Sequence, residues 1–301
     1  MTEAMRISPL PRTRAQLPLA ARLRLRKRMA SLAIHLPLML CAVTMLFPLV
    51  WLLSTSLKHP GKQFAFPPQL WPNPFYLKNY SELFRLAPMG MYLYNSTKIA
   101  VLSTIGTGLS SAIAAFAFAR MRFRGRDALF AVLLATMMIP GQVTIIPTFV
   151  IVRSLGWIDN HASLIVPSFF ASAFNVFLLR QFYRTIPQDL MDSAMIDGAG
   201  FLRIFWQIFV PLGMPALTTV AVFNFLGAWN DLFGPLIFLN SQTKMTLALG
   251  LSMLRGRAGS GGGHWGVIMA GATLGVVPML VLYFFGQKYF VQGLARTGLK
   301  G

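Results

Sequence analysis

The chain has 301 residues, of which 55% are hydrophobic and only 12% charged, with a mean hydropathy of +0.59. That composition excludes an ordinary soluble globule, and a single cysteine, Cys41, excludes a disulfide framework or a thiol metal site. The formal charge of +19 would suit nucleic acid only as a folded basic patch with stacking aromatics; here the charges flank apolar stretches, so no nucleic-acid partner is expected.

A spanning helix needs roughly 20 mostly apolar residues to cross a hydrocarbon core about 30 Å thick. Six stretches qualify, at 31–57, 92–119, 128–152, 163–182, 212–239 and 265–289. The expected fold class is therefore all-α, a polytopic membrane helix bundle with about six transmembrane helices. It divides into a basic N-terminal tail (1–30), a membrane domain (31–290) that contains an organised connection at 183–215, and a C-terminal tail (291–301).

The tail is rich in Arg, Pro and Leu and is expected on the membrane surface, where anionic lipid attracts it. The first stretch follows this basic run as a signal peptide would. It is too long for one and lacks a small-x-small cleavage pattern, so it reads as a retained span, with Cys41 a lipid-facing or packed small hydrophobe. The connection 58–91 carries Pro60, Pro67, Pro68, Pro72, Pro74 and Pro88, which favour turns and extended segments and make it a candidate docking surface.

Polar groups inside hydrocarbon are costly and need partners or a wet cavity. The second span carries Asn95 and Lys98, the latter near enough to an end to snorkel. The third holds Gln142 between Pro140 and Pro147, two expected kink points, and its Met137 and Met138 read as adaptable packing rather than metal ligands. The fourth carries Pro167 and Asn175. The fifth carries Asn224, Trp229, Asn230, Asp231 and Pro235, and the sixth a kink point at Pro278. Asn95, Asn175, Asn224, Trp229 and Asn230 are the candidates for a solute path, because an aromatic face stacks on a sugar ring and an amide bridges two hydroxyls. For Asn230 and Asp231 the competing reading is a place at a span end, stabilising helix packing or a broken turn beside Gly234 and Pro235.

The connection 183–215 is too organised for a linker. Pro187 suits a first helical turn, Asp189 and Asp192 place negative charge near a helix N-terminus, and Gly198 is where a chain adopts the left-handed stop conformation. A second short helix is expected over 200–209, with Phe201, Phe205 and Ile208 at helical spacing and Pro211 turning the chain toward the next span. Helix, glycine, helix makes a compact knob that can enter a pocket on a partner.

The 27 Lys and Arg residues sort by membrane side. Arg6 to Arg28, Arg120 to Arg126, Arg180, Arg184, Arg203, Lys288, Arg296 and Lys300 share one side. The fewer Lys58, Lys62, Lys78, Arg85, Arg153, Lys244, Arg255 and Arg257 lie on the other, which puts both termini in the cytoplasm. The glycine run near 258–263 lacks the GxxxxGK[ST] spacing of a phosphate loop, and His35, His59, His161 and His264 form no two-His metal motif.

Asp192, Ser193, Ala194, Gly198, Ile208, Val210 and Pro211, with Asp197 and Ala199 alongside, resemble the signature of the permease subunits of ATP-binding-cassette importers: Glu-Ala-Ala, three residues, Gly, nine residues, Ile, one residue, Leu-Pro. Asp192, Ser193 and Val210 depart from it conservatively. NYSELF (79–84), NSTKIAV (95–101), AAFAFARMRFRG (114–125), MIPGQVTIIP (138–147) and AWNDLFGPLIF (228–238) are similar to the maltose-type subclass. The resemblance implies a multi-pass subunit of the bacterial inner membrane, without catalytic residues, that forms half of a sugar pathway. It also implies a second permease, two cytoplasmic ATPase subunits that hold ATP and Mg, and an external solute-binding protein or lipoprotein, with no cofactor on this chain. The alternative from another class is an ion-gradient-driven secondary transporter, which would place carboxylates near mid-membrane, whereas this chain offers only Asp231, near a span end.

Overall fold

The computed structural model describes residues 19–257 and 264–297. The tail up to residue 18, the glycine run over 258–263 and residues 298–301 lie outside the described residues. By chain contact the protein divides into residues 1–51 and 52–301. The described part of the first unit lies within a single helix, α1 (Leu19–Ser56), which continues through Pro37 and Pro48 and runs on into the second unit. It starts within the basic segment, whose Leu, Ala, Arg and Lys are good helix formers.

The second unit opens with α2 (Lys78–Leu86), α3 (Met89–Arg120), α4 (Arg126–Ala135), α5 (Ile145–Ser154), α6 (Ala162–Ile165) and α7 (Ala173–Thr185). It continues through three short helices, α8 (Gln188–Ile196), α9 (Phe201–Ile204) and α10 (Val210–Leu212). It closes with α11 (Met214–Asn230), α12 (Phe233–Phe238), α13 (Leu247–Arg257) and α14 (Trp265–Thr297). α3 is the central helix, packed on α7 and α11, and α11 packs on α14. Its inner face is small, with Ala100, Ser103, Ser111, Ala112 and Ala115 buried, which is how helices approach closely where lipid gives no hydrophobic drive between them.

Among the described residues, Met29–Ser56, Met89–Arg120, Ala162–Thr185 and Trp265–Gln287 are long and apolar enough to cross a membrane; Phe201–Leu212 with Met214–Asn230, bent by 79°, would make a fifth. The predicted third span at 128–152 is not one helix. Ile139 is extended (ψ 116°), as the residue before a proline prefers, and turns fill the gap to α5. The predicted fifth span at 212–239 also breaks, at Asp231 (ψ 120°), where α11 ends and α12 begins. The ring of Pro235 would clash with the carbonyl four residues earlier, which belongs to Asp231, so the helix cannot run through. Pro140 and Pro235, read as kinks in the sequence, thus mark breaks in the fold, whereas Pro278 lies inside α14.

Two apolar clusters form the core at opposite ends of α3. One holds Phe116, Leu179, Tyr183, Phe205 and Phe209, the other Leu83, Tyr92, Trp229, Leu247 and Val267. At this second end polar side chains splice the loops together. Asn95 donates to the carbonyls of Thr243 (2.9 Å) and Met245 (3.0 Å), and Asn79 to those of Ser56 (2.8 Å) and Lys58 (2.9 Å).

Asp159, in the left-handed region at φ 55°, clasps the loop after α12. Its carboxylate accepts from Ser241 Oγ, from the N–H groups of Ser241 (2.9 Å) and Asn240 (3.0 Å), and from Lys244 Nζ (3.1 Å). The Ser241 bonds foremost hold this carboxyl well below the usual carboxylate range. A depressed native pKa stabilises above the unfolded value, near 3.9, and the contribution is lost as pH falls through that value toward the native one. The thermal midpoint of the detergent-solubilised chain should therefore fall on acidification below about pH 4. Asp159→Ala should lie a few degrees lower at neutral pH and show a flatter acid limb in the same scan.

Candidate coupling elbow and polar cavity

α8 starts after Pro187, whose ψ of 138° is extended, and carries Asp189 in its first turn where the helix dipole favours negative charge. It ends as the glycine spacing predicts. Gly198 has φ +79°, its N–H donates to Met195 O (3.0 Å), and the N–H of Ala199 reaches back to Ala194 O (2.9 Å). These two bonds define a Schellman stop, and Ala194 and Ala199 pack together on the core as such stops do.

The second helix is less regular than its sequence periodicity suggests. α9 passes into a π-helical turn over Phe205–Phe209, with Val210 N–H bonded to Phe205 O, then into α10 and Gly213. Pro211 has no N–H to give to Gln207 O, so the wider turn replaces the missing bond. A Cβ at Gly213 would stand 2.6 Å from both Phe209 O and the Tyr183 ring, so glycine is what lets the chain bend by 79° against α7.

One face of this elbow is in the core and the other is open. Met191 is 3% exposed, and Ile204, Phe205 and Phe209 are buried beside Phe116 and Tyr183. Of the residues singled out in the sequence, Phe205 is buried, Ala194, Ala199 and Ile208 are half-buried, and Asp192, Ser193, Asp197, Gly198, Phe201 and Pro211 are exposed. The open face also carries Ile196 (87% exposed), Leu202 (72%) and Trp206. Periodicity alone missed these three, because large apolar residues within a helical pattern read as core.

The larger omission is Arg120, at the last turn of α3. Its Nη1 donates to Gln188 Oε1 (2.6 Å) and its Nη2 to the carbonyls of Tyr183 (2.6 Å) and Ile186. Gln188 passes the tie on to Asp192 (Nε2 to Oδ1, 3.0 Å), and the guanidinium also lies 5.2 Å from the centroid of the Phe209 ring. The sequence signal for Arg120 was only its place among basic residues flanking a span. Asp192 has no ion pair among the described residues.

The solute-path candidates separate. Asn224 lines a cavity of about 370 Å³ between α3, α6, α11 and α12, together with Ser103, Thr107, Ser168 and Asp231. Asn175, buried on α7, donates to Asn224 Oδ1 (3.1 Å). Trp229 is buried, stacked on Phe225 at 5.6 Å with its N–H given to Gly275 O (3.1 Å). Asn95 is engaged in the loop splice above, and Asn230 is exposed with its amide on Leu226 O (2.8 Å). Asn224 and Asn175 thus come together beside the cavity, while Trp229, Asn230 and Asn95 each have a local partner. No group of three or more potential metal ligands occurs among the described residues.

Comparison with known proteins matches residues 105–296 to the family described as "Binding-protein-dependent transport system inner membrane component". The chain is 33% identical over 278 residues to the osmoprotective compounds uptake permease protein of Synechocystis, covering 90% of this chain and 92% of that protein. It is 32% identical over 273 residues to the arabinooligosaccharides transport system permease protein of Bacillus subtilis, covering 90% and 96%. It is 30% identical to the sn-glycerol-3-phosphate transport system permease protein of Yersinia enterocolitica, covering 87% and 95%. In fold it matches a crystal structure of a bacterial ABC transporter involved in the import of alginate, with TM-score 0.75 at 23% identity, covering 88% of this chain and 98% of that one.

Arg120→Leu should free the elbow from α3. Hydrogen exchange of the α8 amides, read by mass spectrometry on the bilayer-embedded chain, should quicken about 10- to 100-fold, the equivalent of about 1.5–3 kcal/mol for bonds to a charged group. Arg120→Lys should recover only part of this, since an ammonium lacks the guanidinium fork.

Proposed function

The chain belongs to the binding-protein-dependent transport system inner membrane component family, and from that premise we propose how it works as the permease subunit of an ATP-driven importer. It forms half of the translocation pathway for a sugar or a related polyol or oligosaccharide. The elbow from Asp192 to Gly198 seats in a cytoplasmic ATPase subunit. ATP and Mg reside on that partner, and this chain carries no catalytic group. A second permease completes the pathway, a second ATPase completes the motor, and an extracytoplasmic solute-binding protein or lipoprotein delivers the solute. Both termini face the cytoplasm, a reading supported by the excess of Arg and Lys on the elbow side.

The observation that carries this reading is the two-sided elbow. Its inner face is locked by Arg120 and the Phe205–Phe209 cluster, while its outer face offers Ile196, Leu202 and Trp206 to a partner. Large exposed apolar side chains rimmed by polar ones mark protein contact sites. Closure of the ATPase dimer on ATP pushes this face, and because the elbow is bonded to the ends of α3 and α7, the push reaches both helices as a rigid body. Release of ADP and phosphate returns them. Relatives named for arabinooligosaccharides, for sn-glycerol-3-phosphate and for osmoprotective compounds support a polyhydroxylated solute, and they disfavour an ion-gradient-driven carrier.

Gly198→Pro cannot adopt the positive φ of the Schellman stop, and Asp192→Arg reverses the charge at the end of the Gln188 relay. Both should insert in the membrane normally. In proteoliposomes holding the complete importer, each should lower ATP-dependent uptake at least about tenfold, a barrier change of about 1.4 kcal/mol. Normal coupled uptake in both variants would refute the elbow as the transmission point.

A further inference from the structure

We propose that the arginine cluster where α3, α4 and α7 meet holds the phosphate of an anionic phospholipid headgroup, in the leaflet on the elbow side. The site uses none of the residues assigned to the solute path or to the outer face of the elbow.

Arg120 closes the span Met89–Arg120, and Arg180 and Arg184 lie in the last turns of the span Ala162–Thr185, which sets the cluster at the boundary between hydrocarbon and water. Beyond α3 the chain reverses at Gly125 (φ +81°), and Arg122 and Arg126 then line one cleft of about 460 Å³ together with Phe123 and Asp127. Charge there is unbalanced. Arg126 pairs with Asp127 (Nε to Oδ1, 3.0 Å), whereas Arg122, Arg180 and Arg184 have no ion pair among the described residues. The Asp127 carboxyl is held below its ordinary range first by the bond from Arg126 and the Arg126 charge, then by Arg180 and Arg184, so three guanidinium groups act on one carboxylate. Arg180 is fixed in place, since its Nε donates to Phe118 O (3.2 Å) and its guanidinium lies 4.0 Å from the centroid of the Phe130 ring.

Excess positive charge draws an anion, and the apolar surroundings decide which one. Phe123, which lines the cleft, is exposed and packs on Phe118 (6.0 Å between ring centroids). From the cleft α4 runs on with Leu129 and Val132 open, three positions apart and so on one helix face. Guanidinium groups followed by open apolar side chains match a phosphate followed by acyl chains. A free phosphate would meet the charges and leave the apolar face uncovered. A choline lipid would cover that face but bring a second cation to the arginines, where like charges repel. The guanidinium fork fits phosphate oxygens, and basic pockets at the cytoplasmic ends of spans take acidic headgroups.

The test titrates the full chain, and separately the complete importer, in detergent with phosphatidylglycerol or phosphatidylcholine, and reads bound lipid by native mass spectrometry. The tightest-bound phosphatidylglycerol should be held at least about tenfold more strongly than phosphatidylcholine in both samples, and equimolar inorganic phosphate should not displace it. Arg122→Gln and Arg126→Gln should each weaken it about fivefold, the order expected for one arginine facing an acidic headgroup. Asp127→Asn should strengthen it about threefold by removing the carboxylate that competes with the lipid, a gain that damage to the fold would not produce. Arg12→Gln with Arg14→Gln, which takes two charges from the N-terminal tail, should leave the affinity within about twofold, whereas Arg122→Gln with Arg126→Gln should lower it more than about tenfold. Equal retention of the two lipids, displacement by inorganic phosphate, an equal loss in the tail variant, or cleft variants indistinguishable from the unaltered chain would overturn the proposal. So would binding to the chain alone that vanishes once the ATPase subunits are present, which would make the cluster a protein contact. Neither ATP nor solute enters the titration, so its failure removes the lipid site and leaves the importer reading to its own uptake test.

Discussion

The structure depends on one corner, where the guanidinium of Arg120 meets the last turn of α7. Helix ends leave carbonyls without intrahelical partners, and in or near a bilayer there is little water to take their place. Arg120 supplies the donors for Tyr183 and Ile186 and reaches Gln188 with its remaining fork. It thereby ties the end of α3 to the last turn of α7 and to the first turn of α8 with a single side chain. Remove it and the short helices, marginal at this length in isolation, are held by the apolar packing of Met191, Ile204, Phe205 and Phe209 alone.

The rest of the elbow follows from that corner. A Schellman stop at Gly198, a π-helical turn before Pro211 and a close approach at Gly213 are three backbone devices in succession. Together they turn the chain twice and return it to the bundle as α11. The aromatic packing of Phe116, Phe205 and Phe209, with Tyr183 edge-on to Phe209, fills the inner angle. What is left outside is apolar and open, carrying Ile196, Leu202 and Trp206.

At the other end of α3, polar side chains tie loops to helices. Asn95, Asn79 and Asp159 splice loops to helices, and Trp229 gives its N–H to the backbone of α14. The cavity of about 370 Å³ is lined by Ser103, Thr107, Ser168, Asn224 and Asp231. It sits where Pro235 forces α11 to end at Asp231, so the break in the span and the polar site have the same cause.

Much of this was legible in the amino-acid order. Apolar runs long enough to cross a bilayer, the excess of Arg on one side, and Pro187, Asp192 and Gly198 at the spacing of a helix and its stop are local properties of the chain, and local rules read them. The structure keeps α3 and α14 as long helices and ends α8 where Gly198 indicated. Local rules did not tell a kink from a break at Pro140 and Pro235, because that depends on whether neighbouring elements can satisfy the freed backbone groups. They did not find Arg120, whose partners lie more than sixty positions away. Nor did they separate Asn224, beside a cavity, from Asn95, spent on a loop 148 positions distant, since an amide shows the same side chain wherever it stands. Hydropathy and turn chemistry were thus decided by the sequence alone, as they concern near neighbours and the solvent. Which polar atoms are occupied and which are free was decided only when distant segments met, because a hydrogen bond exists between two groups and the sequence shows one at a time.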